Sequence, residues 1–232
     1  MAKRLRTQRR GAGGNQYRSP SHRHVDDIRL PAVSNAEGIV KDIIHAPGRT
    51  SPLAVIDYDG KKDYQIAAEG MTVGQKVIVG QSDVKPGNIM ALAAIPEGTE
   101  IHNIEAQPGD GGKYVKVAGA SGTVVSRGAV VIVEMPSGAL KEFNPNCRAA
   151  VGIIAGNGRA DKPFAKSGKK CHALGSRSKA HFHVSGVAMN AVDHPHGGGS
   201  HPHIGGPSTK SRNAWPGQKV GRLSPKKKKD KK

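Results

Sequence analysis

The sequence predicts an all-β fold in which two small barrels follow one another between irregular basic arms. Three observations carry that expectation. Short runs rich in β-branched residues recur about every 8–12 residues, separated by Gly and Pro. No stretch shows a sustained helical apolar period, so no long helix is expected. The two ends combine high positive charge with little apolar periodicity, and such chain cannot offset its own ordering entropy.

Residues 1–34 form the N-terminal extension, with 8 basic and 2 acidic side chains. Lys3, Arg4, Arg6, Arg9 and Arg10 run into a Gly-rich stretch, and Arg18-Ser19-Pro20-Ser21-His22-Arg23-His24 follows. Arg and His interleaved with small residues suit an arm threaded along phosphates.

Residues 35–108, net −4, read as the first barrel. Its strands are expected at 37–45, 53–58, 64–67, 76–79 and 100–104, with Asp59-Gly60 turning a hairpin. Residues 109–170, net +6, read as the second. Residues 114–117 suit a short helix or a strand, and strands are expected at 122–125, 129–134, 139–143 and 150–154. Pro136-Ser137-Gly138 supplies a turn between two of them. An OB-type barrel followed by an SH3-like barrel is the expected pair, although strand spacing alone does not separate barrel types. Residues 171–232, net +10, form a Gly-, His- and Lys-rich C-terminal extension. Both arms are expected to be extended and to order only against a partner. The run Pro225 to Lys232 reads as a solvated tail.

The whole chain of 232 residues carries 36 Lys and Arg against 18 Asp and Glu, net +18. No apolar run approaches the ~18 residues of a membrane helix. The charged N-terminus has no apolar segment behind it, which argues against a secretory signal. Cys147 and Cys171 lack CxxC spacing and offer neither a disulfide scaffold nor a four-cysteine zinc site. A reduced cytoplasmic setting fits. The charge points to a polyanion, with nucleic acid foremost.

The densest motif is Gly186-Val187-Ala188-Met189-Asn190-Ala191-Val192-Asp193-His194-Pro195-His196-Gly197-Gly198-Gly199, followed by His201-Pro202-His203. Seven of the 11 histidines lie beyond residue 170, at 172, 181, 183, 194, 196, 201 and 203. Three chemistries compete for this cluster. His-X-His pairs can ligate a metal, but no HExxH and no carboxylate beyond Asp193 accompany them. Asp193 beside His194 could orient a general base, but consecutive side chains point apart, and no nucleophile motif or phosphate loop is present. RNA contact fits best: glycines let backbone amides approach phosphates, while His, Asn and Arg meet unpaired bases. Candidate RNA contacts here are Asn190, Asp193, His194, His196, Gly197, Gly198, Gly199 and His201, with His181, His183, Arg177, Lys179, Lys210 and Arg212 around them. Arg148, Arg159, Lys162, Lys166, Lys169 and Lys170 extend the basic set from the second barrel. The plain alternative for each cation is a solvated surface charge. A DNA-compacting protein is the rival nucleic-acid reading.

The segment 186–199 resembles the signature of the universal large-ribosomal-subunit protein two family. Gly98-Thr99-Glu100-Ile101-His102-Asn103-Ile104-Glu105, Pro108-Gly109-Asp110-Gly111-Gly112, Pro136-Ser137-Gly138 and Cys147-Arg148-Ala149 agree with it. Residues 8–13 and 17–23 resemble its archaeal and eukaryotic branch. The resemblance covers nearly the whole chain except the Lys-rich end. It implies an OB-type then an SH3-like barrel, with extensions that thread ribosomal RNA. It implies a structural role near the peptidyl transferase region, in subunit association and tRNA placement, with no enzymatic activity and no cofactor. Mg²⁺ would enter only as an RNA-bridging ion. The implied partners are large-subunit RNA, neighbouring ribosomal proteins and the small subunit at a bridge, with no membrane and no small-molecule substrate. His194 matches a family histidine proposed to assist peptide-bond formation, a contested proposal; Asp193, His194 and His196 are carried over as RNA-proximal residues. The segment His201-Pro202-His203-Ile204-Gly205-Gly206-Pro207 departs from the bacterial pattern, where a Gly-Arg pair follows the glycines, so contacts of that Arg do not transfer.

Overall fold

The structure, a computed structural model, describes residues 3–80, 83–179 and 181–225. It divides into two compact units: residues 21–165, and residues 1–20 together with 166–232. The fold is all-β.

The central unit carries strands β1 (Ala36–Ile44), β2 (Leu53–Tyr58), β3 (Lys61–Ile66), β4 (Lys76–Val79), β5 (Ile89–Ala91), β6 (Glu100–His102), β7 (Gly122–Ser126), β8 (Val131–Glu134), β9 (Leu140–Phe143) and β10 (Arg148–Val151). They form one sheet in the order β3-β2-β1-β4-β5-β10-β6-β7-β8-β9. The β2–β3 hairpin closes where the sequence places it. Asp59 (φ 50°) and Gly60 (φ 86°) are both left-handed, as a two-residue hairpin turn requires. The Gly60 N–H donates to the Asp57 carboxylate at 2.8 Å.

The sheet wraps two principal cores. Val40, Ile56, Val77, Val79 and Ile89 lie in the first. Leu92, Ile95, Ile101, Ile104, Val124, Val131, Val133 and Phe143 lie in the second. Each fully buried aliphatic side chain contributes roughly 1.5–3 kcal/mol. β6, which the sequence counts as the fifth strand of the first barrel, pairs with β7 and β10, and its Ile101 sits in the second core. β10 is the seam, antiparallel to β5 on one side and β6 on the other. It starts two residues before the expected strand, because Arg148 and Ala149 already pair with Ala91 and Met90 of β5. Residues 114–117 form no regular element beyond a bridge from Tyr114 to Ile104, and Val115 has φ 53°.

Three of the motif segments converge on one buried acid. Glu105 has a side chain with no exposure and pairs with Arg148 at 2.9 Å. It also accepts the backbone N–H of Arg148 at 2.9 Å, of Gly109 at 3.2 Å and of Gly111 at 3.3 Å. The Arg148 guanidinium donates onward to the carbonyls of Pro31 (2.7 Å) and Val33 (3.2 Å). Arg148 is one of the RNA contacts the sequence suggests, and in the structure its guanidinium is engaged within the central unit. Its side chain, 18% exposed, already satisfies a buried carboxylate and two carbonyls, so it holds the unit together.

The terminal unit contains helices α1 (Arg6–Gly11) and α2 (Ser167–Gly175) and a parallel pair, β11 (Thr209–Lys210) with β12 (Arg222–Leu223). The sequence predicts arms that are extended in isolation. Instead, the described residues of the two ends pack on each other. The Lys3 N–H donates to the Val192 carbonyl at 3.1 Å, and the Arg6 guanidinium donates to the Phe182 carbonyl at 2.9 Å. Little apolar burial accompanies this: Leu5 and Val220 are the buried hydrophobic residues among those described here. Backbone hydrogen bonds and glycine contacts do the joining, and neither registers as apolar periodicity. α2 has no buried residue, which is why no amphipathic pattern announced it. The lysines of the expected solvated tail, 226–232, lie outside the described residues.

Candidate nucleic-acid interface

Charge divides sharply between the units. The terminal unit holds 21 Lys and Arg against two Asp, net +19. The central unit holds 15 against 16, net −1. All the excess positive charge therefore lies in residues 1–20 and 166–232. Asp193 is the sole acid among the described residues of that unit.

The motif 186–199 is built by close approach. A short 3-10 turn, Gly186–Ala188, opens it. A Cβ on Gly186 would lie 2.4 Å from His194 Cε1, so the imidazole rests against bare backbone. A Cβ on Gly197 would lie 2.4 Å from the Asn190 carbonyl oxygen and 2.5 Å from that of Met189. Gly198 and Gly199 are left-handed (φ 81° and 85°), which non-glycine residues rarely adopt. The Gly198 N–H donates to the Met189 carbonyl (3.0 Å) and the Gly197 N–H to that of His194 (2.9 Å), closing the loop.

Within this frame the side chains take fixed roles. Asp193 pairs with Lys3 at 3.0 Å. His194 Nδ1 accepts the His196 backbone N–H at 3.0 Å, which assigns the neutral tautomer with the proton on Nε2. Burial, aided by the neighbouring His196, lowers the His194 pKa below its ordinary value. The His194 and His196 rings meet edge to face at 5.0 Å. Asp193 thus faces Lys3, not the imidazole, and the pairing of a general base does not form. Among the described residues, no group of three or more His, Cys, Asp or Glu is placed to hold a metal ion.

A cleft of about 440 Å³ opens beside the loop, lined by Lys3, Arg4, Arg6, Arg9, Asn190, Asp193 and His194 among others. Four cations from one end of the chain and the motif from the other share its wall, a concave basic surface suited to a phosphate backbone.

In this unit, Lys3, Arg4, Arg9, Arg10, Arg18, Lys166, Lys169, Lys170, Lys179, His183, Asn190, Gly198, Gly199, His201, Lys210 and Arg212 are exposed. Arg6, Arg177, His181, Asp193, His194, His196 and Gly197 are half-buried. His22, Arg23, Arg159 and Lys162 are exposed on the central unit, and His24 is half-buried there. Sequence reasoning passed over Trp215, Lys219 and Arg222, all exposed in the terminal unit. The usable signal was one tryptophan in a segment otherwise poor in large apolar residues.

No described helix is long and apolar enough to cross a membrane. The family model "Ribosomal Proteins L2, RNA binding N-terminal domain" matches residues 3–79, and "Ribosomal Proteins L2, C-terminal domain" matches residues 85–221. The chain is 51% identical over 228 residues to the large ribosomal subunit protein uL2 of Thermoplasma acidophilum, covering 97% of each chain. It is 50% identical over 229 residues to that of Archaeoglobus fulgidus, again covering 97% of each. The uL2 protein of Methanococcoides burtonii is 49% identical over 230 residues, with 97% of each chain covered.

Proposed function

The chain belongs to the ribosomal protein L2 family, and from that premise we propose that its terminal unit is the principal surface by which it grips large-subunit ribosomal RNA. It is a structural constituent of the large ribosomal subunit and not an enzyme, and ribosomal RNA is its partner. The finer reading follows the resemblance. The protein supports the peptidyl transferase region, tRNA placement and subunit association, beside neighbouring ribosomal proteins and at a bridge to the small subunit. It works in the cytoplasm. It needs no cofactor, and Mg²⁺ enters only where it bridges RNA to protein.

One observation carries this reading: the described residues of the two ends form one compact unit that contains the 186–199 loop, and the sequence of the two ends, 1–20 and 166–232, carries net +19. Lys and Arg displace condensed counterions from RNA, so the binding free energy depends on salt. A protein that engages six phosphates loses roughly a thousandfold in affinity between ~50 and ~200 mM salt. The test is a salt titration of binding to large-subunit RNA, with duplex DNA as competitor. A steep linear fall of log affinity with log salt, and preference for the folded RNA, is expected. A flat profile would sink the reading, and equal affinity for duplex DNA would favour a general DNA-compacting role. Deleting residues 186–203 is expected to weaken particle assembly more than deleting 226–232. Equal effects would remove the loop from its assigned role.

A further inference from the structure

We propose that Trp215 is a stacking platform for an unpaired RNA base, a contact that rests on the RNA-binding reading above and refines it. Trp215 is the chain's one tryptophan and is 78% exposed. Large indoles are among the most buried side chains on average, so one left this open in a folded unit calls for a partner.

The backbone around it is fixed. The Trp215 carbonyl accepts the Gln218 N–H at 3.0 Å, with Pro216 and left-handed Gly217 (φ 95°) between them. Pro then positive-φ Gly is the signature of a type II turn, and Trp215 is its first residue. A second turn precedes it, where the Ala214 N–H donates to the Ser211 carbonyl at 3.2 Å. The base of the loop is closed by β11 against β12, with the Arg222 N–H on the Ser208 carbonyl at 2.8 Å and the Ser224 N–H on that of Lys210 at 2.9 Å. Val220, 7% exposed, anchors the returning limb. Trp215 therefore stands on a preorganised loop, and little ordering entropy remains to be lost on binding.

The charge around it selects the occupant. Lys210, Arg212, Lys219 and Arg222 are exposed on the same loop, which holds no acid, in a unit of net +19. An aromatic face amid cations with no carboxylate matches a base on a phosphate backbone. It does not match an apolar protein surface, which would leave those four cations facing low dielectric.

Because the chain has a single tryptophan, its emission reports this site alone. The experiment titrates the full chain with large-subunit RNA and, separately, with single-stranded poly(U), following tryptophan fluorescence and affinity. RNA is expected to quench the emission. W215A is expected to lose about 5- to 100-fold in affinity, the range for one base–aromatic stack, while W215F retains most of it and K219A steepens no loss in W215A beyond its own. Full RNA affinity with unquenched emission and an unaffected W215A overturns the stacking contact while leaving the RNA-binding reading intact. No RNA binding at all overturns the reading itself. Quenching by neighbouring ribosomal proteins but not by RNA assigns the indole to a protein partner and also overturns the proposal.

Discussion

The two units reach order by different physics. The central unit buries two sets of aliphatic side chains on a ten-stranded sheet and is close to neutral. The terminal unit buries Leu5 and Val220 and little else apolar among its described residues, yet carries net +19. Hydrophobic burial fixes the first without help. In the second, backbone hydrogen bonds, bare glycine backbone and the Lys3–Asp193 ion pair hold chain that self-repulsion would spread. The difference teaches where each job sits: a near-neutral body held by apolar burial, and a charged unit whose cohesion rises when a polyanion neutralises it.

The largest effect that would break this contrast is expected in the body. Glu105→Ala leaves Arg148 buried without its carboxylate and strips three backbone N–H groups of their acceptor. Removing one partner of a buried pair costs about 3–5 kcal/mol. Denaturant unfolding of the central unit should show that loss. A shift under about 1 kcal/mol would mean the Glu105 cluster is not what ties the 108–112 loop to β10.

A smaller effect isolates the terminal unit. Gly197→Ala forces a methyl against the Asn190 and Met189 carbonyls, and overpacking of this kind costs about 1–3 kcal/mol. The Gly198 amide, bound to the Met189 carbonyl, should lose about tenfold or more in hydrogen-exchange protection. The denaturation midpoint of the central unit should stay where it is. If that midpoint fell as well, the two units would not be energetically separate.

The same contrast explains what could be read from the sequence. β1, β2, β4 and the Asp59-Gly60 turn were legible because burial and strand period coincide there. β5 was not, since three residues between Gly87 and a 3-10 turn carry no period. Glu105 was legible as part of a motif but not as a buried acid, because an Arg partner 43 residues away leaves no local trace. The 186–199 loop stood out by composition. Its pairing with Lys3, across 190 residues of chain, did not, and so the arms read as separate extended segments.

The smallest expected effect sharpens the comparison through two histidines. His102, in the central unit, is fully buried with Nδ1–H donating to the Gly152 carbonyl at 2.8 Å, and burial lowers its pKa. His194 has a lowered pKa too, but its Nδ1 is an acceptor for the His196 N–H. Protonating His194 therefore removes a hydrogen bond that closes the loop, whereas protonating His102 adds charge to a core without removing one. The sign for His194 follows from linkage. Its folded pKa lies below the ordinary 6.5, so the opened loop binds protons more readily than the closed one. Closure is complete above about pH 6.5 and weakens as pH falls through the window beneath it. Imidazole NMR titration should place His194 below 6.5, with exchange protection of the His196 amide falling in step. His196→Ala removes the neighbouring ring that helps depress His194 and should move its pKa part of the way back up, leaving that of His102 unchanged. A His194 that titrates at or above 6.5 would mean that burial and the His196 N–H do not favour its neutral ring, and would remove the imidazole from the closing of the loop.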